Sequence, residues 1–138
     1  MPAVYEHSHV VAPAEIDALG HASNLAYLAW MQDAAVAHSA AQGWPGEAYQ
    51  QLGQGWVVRA HEITYLRPAF ADERIVVRTW VATLRKASSL RRYEILRPAD
   101  GKTLATAATD WAFVTYGTGM PARIPAEVSG AFVLLPDR

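Results

Sequence analysis

The stretch NLAYLAWMQDAAVAHSAAQ, residues 24–42, decides the fold of this chain. It contains neither proline nor glycine and is rich in alanine, which predicts a helix of about five turns. Ser23 is a suitable N-cap before it, and Gly43 followed by Pro45 marks its end. A helix that is apolar around most of its circumference is typical of one that other structure covers. Its polar residues other than Asp33 fall on one thin stripe made of Asn24, Gln32, His38, Ser39 and Gln42.

Five strands are predicted around this helix. A short strand at 7–12 precedes it, and runs of β-branched and aromatic residues indicate long strands at 56–67, 74–84, 88–97 and 103–116. The Asp100-Gly101 pair supplies a hairpin turn before the last strand. Short turns between consecutive strands require antiparallel neighbours. The expected fold is therefore α+β: a five-stranded antiparallel sheet wrapped around one long central helix.

The segments outside these elements are expected to be irregular. A glycine-rich link with Gly46, Gly53 and Gly55 joins the helix to the first long strand. The C-terminal segment is rich in proline and is expected to run over the surface.

Length and composition predict one self-sufficient domain spanning residues 1–138. Hydrophobic residues make up 51% of the 138 residues and charged residues 18%, which excludes intrinsic disorder for the bulk of the chain. The formal net charge is −1, whereas dedicated nucleic-acid binders carry a strong basic excess. No nucleic-acid partner is therefore expected.

Several kinds of site and location are also excluded by the residues present. The chain has no cysteine, so disulfides, thiolate metal sites and cysteine nucleophiles are excluded. Its histidines lack the close spacing of a helical metal site, and neither a metal nor an organic cofactor is expected. No secretory signal and no apolar run long enough to cross a bilayer is recognisable. These features predict a cytoplasmic protein without a membrane partner.

Apolar residues on the long strands predict self-association. They occur on both faces of these strands, and one helix can cover only one face of the sheet. Association with further copies would bury the remaining apolar surface. A dimer that extends the sheet, or sheets stacked into a tetramer, would satisfy this, and we expect a homo-oligomer in the form of a tetramer built from two dimers.

The loop before the helix holds the residues best suited to catalysis. Asp17 lies a few residues upstream of the helix N-terminus, where unpaired backbone N–H groups bind anions. An acyl carbonyl placed there would have its developing negative charge stabilised. Asp17 could then attack that carbonyl or activate a water beside it. On spacing alone, the simpler interpretation is that Asp17 only stabilises the loop, with His21 as its neighbour.

The motif around this loop carries a family resemblance. Its residues are Asp17-x-x-Gly20-His21-x-x-Asn24-x-x-Tyr27-Leu28. This pattern resembles the opening motif of the hotdog-fold thioesterases, in the branch with 4-hydroxybenzoyl-CoA thioesterase and acyl-CoA thioesterases. The segments YLRPA at 65–69, WAFVTY at 111–116 and PARIP at 121–125 resemble later segments of the family, in the same order.

The resemblance implies a hotdog fold, an activity and roles for the motif residues. The activity is hydrolysis of an acyl-CoA thioester to the free carboxylic acid and CoA, with active sites at subunit interfaces. Asp17 matches the family's catalytic carboxylate, which acts as general base or nucleophile. Asn24 matches the helix start, whose backbone N–H polarises the thioester carbonyl. His21 and Tyr27 match positions that shape the pocket for the acyl group.

Two departures from the family pattern bear on these assignments. Many relatives carry His-Val-Asn-Asn where this chain has HASN at 21–24, so the hydroxyl of Ser23 replaces an amide. Further along the helix, a carboxylate pair followed by Ala and Arg is replaced by QDAA at 32–35. Another hotdog branch uses a helix carboxylate as its catalyst, which makes Asp33 the reserve candidate. Its alanine-rich surroundings suit a close-packed structural position equally well.

The phosphates of coenzyme A need cations near the mouth of the pocket, because charge-assisted hydrogen bonds hold phosphate. The resemblance favours Arg85, Lys86 and Arg123 for this role. Hydroxyl contacts to the pantetheine would come from Ser88 and Ser89. The full set of basic candidates is Arg85, Lys86, Arg91, Arg92 and Arg123.

Three alternative functions fit the same fold. An acyl-carrier-protein or polyketide thioesterase would use the same carboxylate, and its basic residues would meet an acidic carrier protein. A hotdog hydratase normally pairs a histidine with a carboxylate, and no histidine-rich motif accompanies Asp17. A non-catalytic acyl-binding protein stays open because of Ser23. The length and kind of the acyl group cannot be predicted from these residues.

Overall fold

One antiparallel sheet and one long helix make up most of the protein, whose computed structural model describes residues 3–137. The helices are α1 (Asn24–Ala41), α2 (Gly46–Leu52) and α3 (Ala126–Ser129), and a 3₁₀ turn spans Pro13–Glu15. None of the described helices is long and apolar enough to cross a membrane. The strands are β1 (Tyr5–Val10), β2 (Gln54–Tyr65), β3 (Arg74–Leu84), β4 (Ser88–Arg97) and β5 (Lys102–Thr115).

The strand order in the sheet is β1-β3-β4-β5-β2, with every neighbouring pair antiparallel. Hairpins join β3 to β4 and β4 to β5, whereas β2 pairs with β5 at the far edge of the sheet. The two edges differ in length, because β1 has six residues and β2 has twelve. β2 therefore presents a long row of backbone groups without a partner strand in the described chain.

Helix α1 packs on one face of the sheet, over β1 and β3. The centre of the core lies at this contact, where Trp30 and Met31 of α1 meet Ile75 and Ile95 of the sheet, all at most 1% exposed. The helix begins where the sequence predicts, since the Ser23 hydroxyl accepts a hydrogen bond from the Ala26 N–H at 3.2 Å. The predicted α+β arrangement of five antiparallel strands and one long helix is confirmed.

One side of α1 is uncovered in the single chain. Leu25 is 75% exposed and Val36 is 56% exposed, and Ala29 and Asp33 lie exposed on the same side. His38, in contrast, belongs to the predicted polar stripe but is only 2% exposed. The uncovered side is therefore mostly apolar, and the sheet of one chain does not wrap the helix completely.

The glycine-rich link contains a helix that the sequence analysis does not predict. Pro45 precedes α2, and Gly53 ends it with a φ of +73°, a conformation that favours glycine. Tyr49 on this helix is buried at 6% exposure. The sequence analysis expects an irregular link because a helix of seven residues is too short to give a clear periodic pattern.

The C-terminal segment does not simply run over the surface, contrary to the expectation from its prolines. Ile124, Val128 and Phe132 are buried and pack with Val81 and Phe113 in a second apolar cluster. These three residues recur at intervals of four, so one side of the segment, including the short helix α3, faces the sheet. The regular spacing of these apolar residues therefore predicts burial of the segment better than its proline content predicts an exposed path.

The face of the sheet away from α1 is more polar than the sequence analysis expects. Arg78 pairs with Glu94 at 3.3 Å and Arg59 pairs with Asp110 at 2.8 Å on this face. Exposed apolar residues lie on β2 or directly after it, at Val57, Tyr65 and Leu66, which are 42%, 42% and 51% exposed, and at the end of β1, where Val10 is 58% exposed. Because β2 is the longer edge strand, the main surface available for self-association lies at the β2 edge and on α1.

Candidate active site

Asp17 lies in a tight turn that the backbone closes. Ile16 and Ala22 form a short antiparallel bridge, and between them the Asp17 N–H donates to the His21 carbonyl at 3.0 Å. Gly20 has a φ of +88°, which an L side chain rarely adopts, so glycine is needed at this position. The Ala22 N–H donates to the Ala69 carbonyl at 2.8 Å and ties the turn to the β2–β3 connection.

The carboxylate of Asp17 is exposed and only partly engaged. Its Oδ1 atom accepts a hydrogen bond from the Leu19 N–H at 2.8 Å, which orients the side chain within the turn. Within residues 3–137, no Lys, Arg or His forms an ion pair with Asp17. The turn therefore presents an oriented carboxylate to solvent. The hydrogen bond to Oδ1 fits the loop-stabilising interpretation. The Oδ2 atom takes no part in the turn, so the carboxylate can also act in catalysis.

The N-terminus of α1 follows the turn directly. The Ser23 side chain and carbonyl both accept from the Ala26 N–H. The N–H groups of Asn24 and Leu25 donate to no acceptor in the described part of the chain, and both residues are exposed. Two unengaged amides at a helix N-terminus form an anion-binding position. The replacement of an asparagine by Ser23 leaves these amides in place.

The two other motif residues have different environments. The His21 ring meets the Phe70 ring edge-on, with 6.5 Å between centroids, at the side of the turn. Tyr27 is 2% exposed, and its hydroxyl donates to the Arg67 carbonyl at 3.1 Å. Tyr27 therefore holds α1 against the β2–β3 connection. In the single chain it lines none of the cavities described below.

A carboxylate that the sequence analysis does not single out holds the turn in place. Glu15 accepts hydrogen bonds at 2.7 Å from His9 and Trp30 and at 2.8 Å from the Ala12 N–H. Partial burial alone would raise the pKa of Glu15, but these hydrogen bonds outweigh it and lower the pKa. Its backbone carbonyl also accepts from the Ser23 N–H at 2.9 Å. Glu15 thus ties β1, the Asp17 turn and α1 together.

The reserve candidate Asp33 is exposed on the uncovered side of α1. It is not in a close-packed position, because the alanines around it lie largely on that same open side. No hydrogen bond to its carboxylate occurs within residues 3–137. In the single chain Asp33 lies midway along α1, whereas Asp17 lies in the turn before the helix begins.

The predicted phosphate-binding residues meet at the opposite end of the sheet. The Ile124 N–H donates to the Lys86 carbonyl at 2.7 Å, which places Arg123 beside the β3–β4 turn with Arg85 and Lys86. All three side chains are exposed. β3 starts near the Asp17 turn and ends at this turn, so its eleven residues separate the two groups by roughly 35 Å. One chain alone does not bring the predicted site residues together.

The remaining predicted contacts are only partly accessible. Ser88 is half-buried at the start of β4, beside the cationic turn. Ser89 is buried and its hydroxyl donates to the Thr83 carbonyl at 2.9 Å. Arg92 pairs with Asp137 at 2.7 Å. Arg91 is buried and cannot reach a phosphate at the surface.

A cavity of about 200 Å³ lies between the second half of α1, α2 and the sheet. Gln32, Val36 and Tyr116 lie at its exposed end, and Ser89 and Arg91 lie at its buried end. The cavity is thus at the opposite end of α1 from Asp17. Gly55 lets the Tyr116 ring pack directly on the backbone at this wall, and a Cβ there would displace the Tyr116 hydroxyl.

His38 lies beside this cavity and is a buried neutral base. Its Nδ1 atom accepts from Arg91 Nη1 at 2.9 Å, its ring stacks on Tyr5 at 5.2 Å, and Phe132 meets it edge-on at 5.4 Å. Burial, and then the charge of Arg91, lower the pKa of His38 from 6.5 to about 4. The acceptor role of Nδ1 places the hydrogen of the neutral ring on Nε2.

We predict that His38 makes the folded protein less stable as the pH falls from 7.5 to 5. In this range the unfolded chain takes up a proton at His38 and the folded chain does not, so the free energy of unfolding falls by about 2 kcal/mol at pH 5. His38→Gln should remove this loss, measured by urea unfolding at both pH values and constant protein concentration. Equal pH dependence in His38→Gln and the unaltered protein would contradict the assignment. Partial burial also lowers the pKa of His61, so His61→Gln should remove a smaller part of the loss and serves as the graded comparison.

The comparisons with known proteins agree with this architecture. The family described as the thioesterase-like superfamily matches residues 11–132. A 1,4-dihydroxy-2-naphthoyl-CoA thioesterase from Synechocystis superposes with a TM-score of 0.86 at 17% identity, covering 93% of this chain and 94% of that one. Among proteins with curated functions, none matches the sequence.

Two further solved structures are similar. A hypothetical protein from Thermus thermophilus has 27% identity and a TM-score of 0.85, and the match covers 92% of this chain and 95% of that chain. A hypothetical protein from Staphylococcus aureus, solved in complex with CoA, has 15% identity and a TM-score of 0.86, with 93% and 80% covered. The family match spans most of the chain and the structural matches share its fold. The chain belongs to the thioesterase-like superfamily and is a thioesterase with the hotdog fold.

Proposed function

We propose that this thioesterase hydrolyses acyl-CoA thioesters, with Asp17 as general base or nucleophile and the N-terminus of α1 as the oxyanion site. The proposal rests on one observation: the Asp17 turn presents a carboxylate directly before the two unengaged amides of Asn24 and Leu25. Acyl transfer to water needs a base or nucleophile and fixed donors for the carbonyl oxygen. The chain supplies both within nine residues, 17–25.

The reaction needs no group beyond these residues and water. The thioester oxygen accepts from the amides of the first helical turn while negative charge develops on it. As a general base, Asp17 takes a proton from the attacking water. As a nucleophile, it forms an anhydride that water then hydrolyses. In either case the carbon–sulfur bond breaks, the sulfur leaves as CoA thiolate and takes up a proton, and the carboxylic acid is released.

Arg85, Lys86 and Arg123 are proposed to bind the phosphates of CoA. Their side chains are exposed and form no ion pair within residues 3–137, so they are available to a polyanion. The Staphylococcus aureus protein with this fold was solved in complex with CoA, which supports a CoA ligand here. Ser88 lies beside them and is proposed to contact the pantetheine.

His21 and Tyr27 are proposed to shape the acyl site in different ways. The His21 ring lies on the surface of the Asp17 turn, where it can contact an acyl group held at the helix N-terminus. Tyr27 acts from the core, because its hydroxyl fixes the β2–β3 connection against α1. Neither is proposed to transfer a proton.

The active site is proposed to need two copies of the chain. Asp17 and the cationic turn are roughly 35 Å apart in one chain, at opposite ends of the sheet. Two β2 strands paired antiparallel around a two-fold axis would put the Asp17 end of one sheet level with the cationic end of the other. A tetramer of two such dimers is the proposed assembly, and residues 1–138 are proposed to form one domain in each copy.

The test is release of free thiol from acyl-CoAs of graded length and from aryl-CoAs, beside the same acyl groups on an acyl carrier protein. We expect turnover of CoA thioesters. Replacing Arg85, Lys86 and Arg123 together by alanine should raise KM for acyl-CoA about tenfold, equivalent to one charge-assisted contact. The control is the N-acetylcysteamine thioester of the same acid, which lacks the nucleotide, and its KM should stay constant. A strong preference for the carrier-borne acyl group would favour the carrier-protein alternative.

A further inference from the structure

The cavity between α1, α2 and the sheet contains an arginine with no acidic partner. Arg91 is on the helix-facing side of β4 and is 6% exposed. Its Nη1 atom donates to His38 Nδ1 at 2.9 Å and to Thr79 Oγ1 at 3.0 Å. Both acceptors are neutral groups. Within residues 3–137 no Asp or Glu forms an ion pair with Arg91.

The rest of the guanidinium is unengaged. Both hydrogen bonds of Arg91 come from Nη1, whereas a guanidinium has five N–H donors on three nitrogens. The Nε and Nη2 atoms have no acceptor in the described chain, yet they are not among the fully enclosed side-chain atoms without partners. They therefore border open space. Because Arg91 lines the cavity, these donors face into it.

A buried cation without an opposite charge beside it destabilises the folded protein. Burial of a charged group destabilises the fold by several kcal/mol unless an opposite charge and hydrogen bonds compensate for the lost hydration. Two neutral acceptors compensate for only part of this loss. An anion in the cavity would complete the pairing, and a carboxylate matches the fork of the guanidinium with two parallel hydrogen bonds.

Several other polar groups of the cavity are engaged with one another, whereas Trp111 Nε1 is a buried donor without a partner in the described chain. Ser39 Oγ donates to the Trp44 carbonyl at 2.7 Å, so the Tyr49 hydroxyl donates to Ser39 Oγ at 2.9 Å. The Trp56 Nε1 group donates in turn to the Tyr49 hydroxyl at 3.1 Å. Arg91 and Trp111 thus both present unengaged donors, and an anion would bind at Arg91 because it is the charged one.

The size and walls of the cavity define the rest of the ligand. Its volume of about 200 Å³ exceeds the roughly 150 Å³ of a dry cavity that binds benzene. It has room for one six-membered ring with a small substituent. The walls are mainly aromatic and favour a flat apolar skeleton. The aromatic lining residues are Trp44, Tyr49, Trp56, Trp111, Tyr116 and Phe132.

We propose that this cavity binds a carboxylate carried on an apolar skeleton the size of one aromatic ring, with the carboxylate on Arg91 and the skeleton against the tryptophans. The carboxylate has two sources: a separate organic acid, or the far end of an acyl group whose thioester is cleaved at the Asp17 turn of a second copy, which rests on the proposed two-copy site. The chemistry of recognition is the same for both. The binding itself does not depend on the catalytic role proposed for Asp17.

The test compares binding of benzoate with binding of its neutral isostere benzamide, by calorimetry on the protein in its native assembly state. We expect benzoate to bind at least tenfold more tightly. Arg91→Gln should abolish this preference, although a glutamine amide still donates to His38 or Thr79 and preserves a structural role. Arg91→Met is the second variant, and Arg92→Met on the opposite face is the control that keeps the preference. Equal affinity for benzoate and benzamide, or an unchanged preference in Arg91→Gln, would overturn the proposal.

A second measurement distinguishes the sources of the carboxylate. Thiol release is compared between benzoyl-CoA and benzoyl-CoA with a para-carboxylate. If the acyl group carries the carboxylate, the para-carboxylated thioester has the higher kcat/KM, and Arg91→Gln reverses this order. If a separate acid binds, the two thioesters react alike and benzoate still binds at Arg91. Loss of all thiol release with intact benzoate binding would count against the proposed function alone.

Discussion

Asp17→Asn is expected to lower kcat for acyl-CoA hydrolysis at least a hundredfold. General-base assistance is worth on the order of 10² to 10⁴ in rate, and asparagine can neither accept the proton nor attack the carbonyl. Asparagine keeps the side-chain oxygen that accepts from the Leu19 N–H at 2.8 Å. The turn should therefore stay closed, and the loss should appear in kcat while KM changes little. Thiol release and CoA binding are measured separately to check this.

The matched control for Asp17 is the same substitution on the helix. Asp33 is also exposed and lies on the uncovered side of α1. Asp33→Asn should keep kcat within about threefold of the unaltered enzyme, as expected for a surface carboxylate outside the reaction. If Asp17→Asn keeps near-normal turnover while Asp33→Asn is inactive, the catalyst has been assigned to the wrong carboxylate. Unfolding curves of both variants show whether either change acts through stability.

The elements that the sequence predicts well are those whose signals are local. Strands β3 and β4 have the predicted bounds of 74–84 and 88–97, because proline, glycine and charged turns flank runs of alternating residues. Helix α1 starts at the predicted residue because Ser23 caps it. Local signals do not predict that β2 pairs with β5. This pairing depends on the connection between Tyr65 and Arg74, which crosses from one edge of the sheet to the other side.

The candidate site is predictable only where one segment contains it. The Asp17 turn and the helix N-terminus lie within a few residues of each other in sequence. The cavity beside Arg91 is lined by residues of α1, α2, four strands and the C-terminal segment, which are far apart in sequence. One of these elements, α2, is not predicted by the sequence analysis. One signal was present: Arg91 alternates in register with Tyr93 and Ile95, which face the core. This signal is easily missed because Arg92 is adjacent, and two neighbouring arginines in a sequence usually indicate a pair of solvent-exposed side chains.

Breaking the β2 edge is expected to abolish turnover without unfolding the chain. Val57 and Ala60 are exposed on this strand, and lysine on an edge strand opposes pairing with another strand. The double variant Val57→Lys/Ala60→Lys should be a monomer by light scattering. Its turnover should fall at least a hundredfold, since even a small misplacement of substrate-binding groups costs that much. Circular dichroism should show unchanged strand and helix content.

The physical reason is the separation of the two predicted halves of the site. Asp17 and the Arg85–Lys86 turn lie at opposite ends of β3, and no movement of side chains spans roughly 35 Å. The control is Val133→Lys, since Val133 is 45% exposed and Val57 is 42% exposed, but Val133 is outside the strands. This variant should keep both assembly and turnover. A folded monomer of the double variant with normal kcat and KM would show that one chain completes the site, and the roles of Arg85, Lys86 and Arg123 would then be wrong.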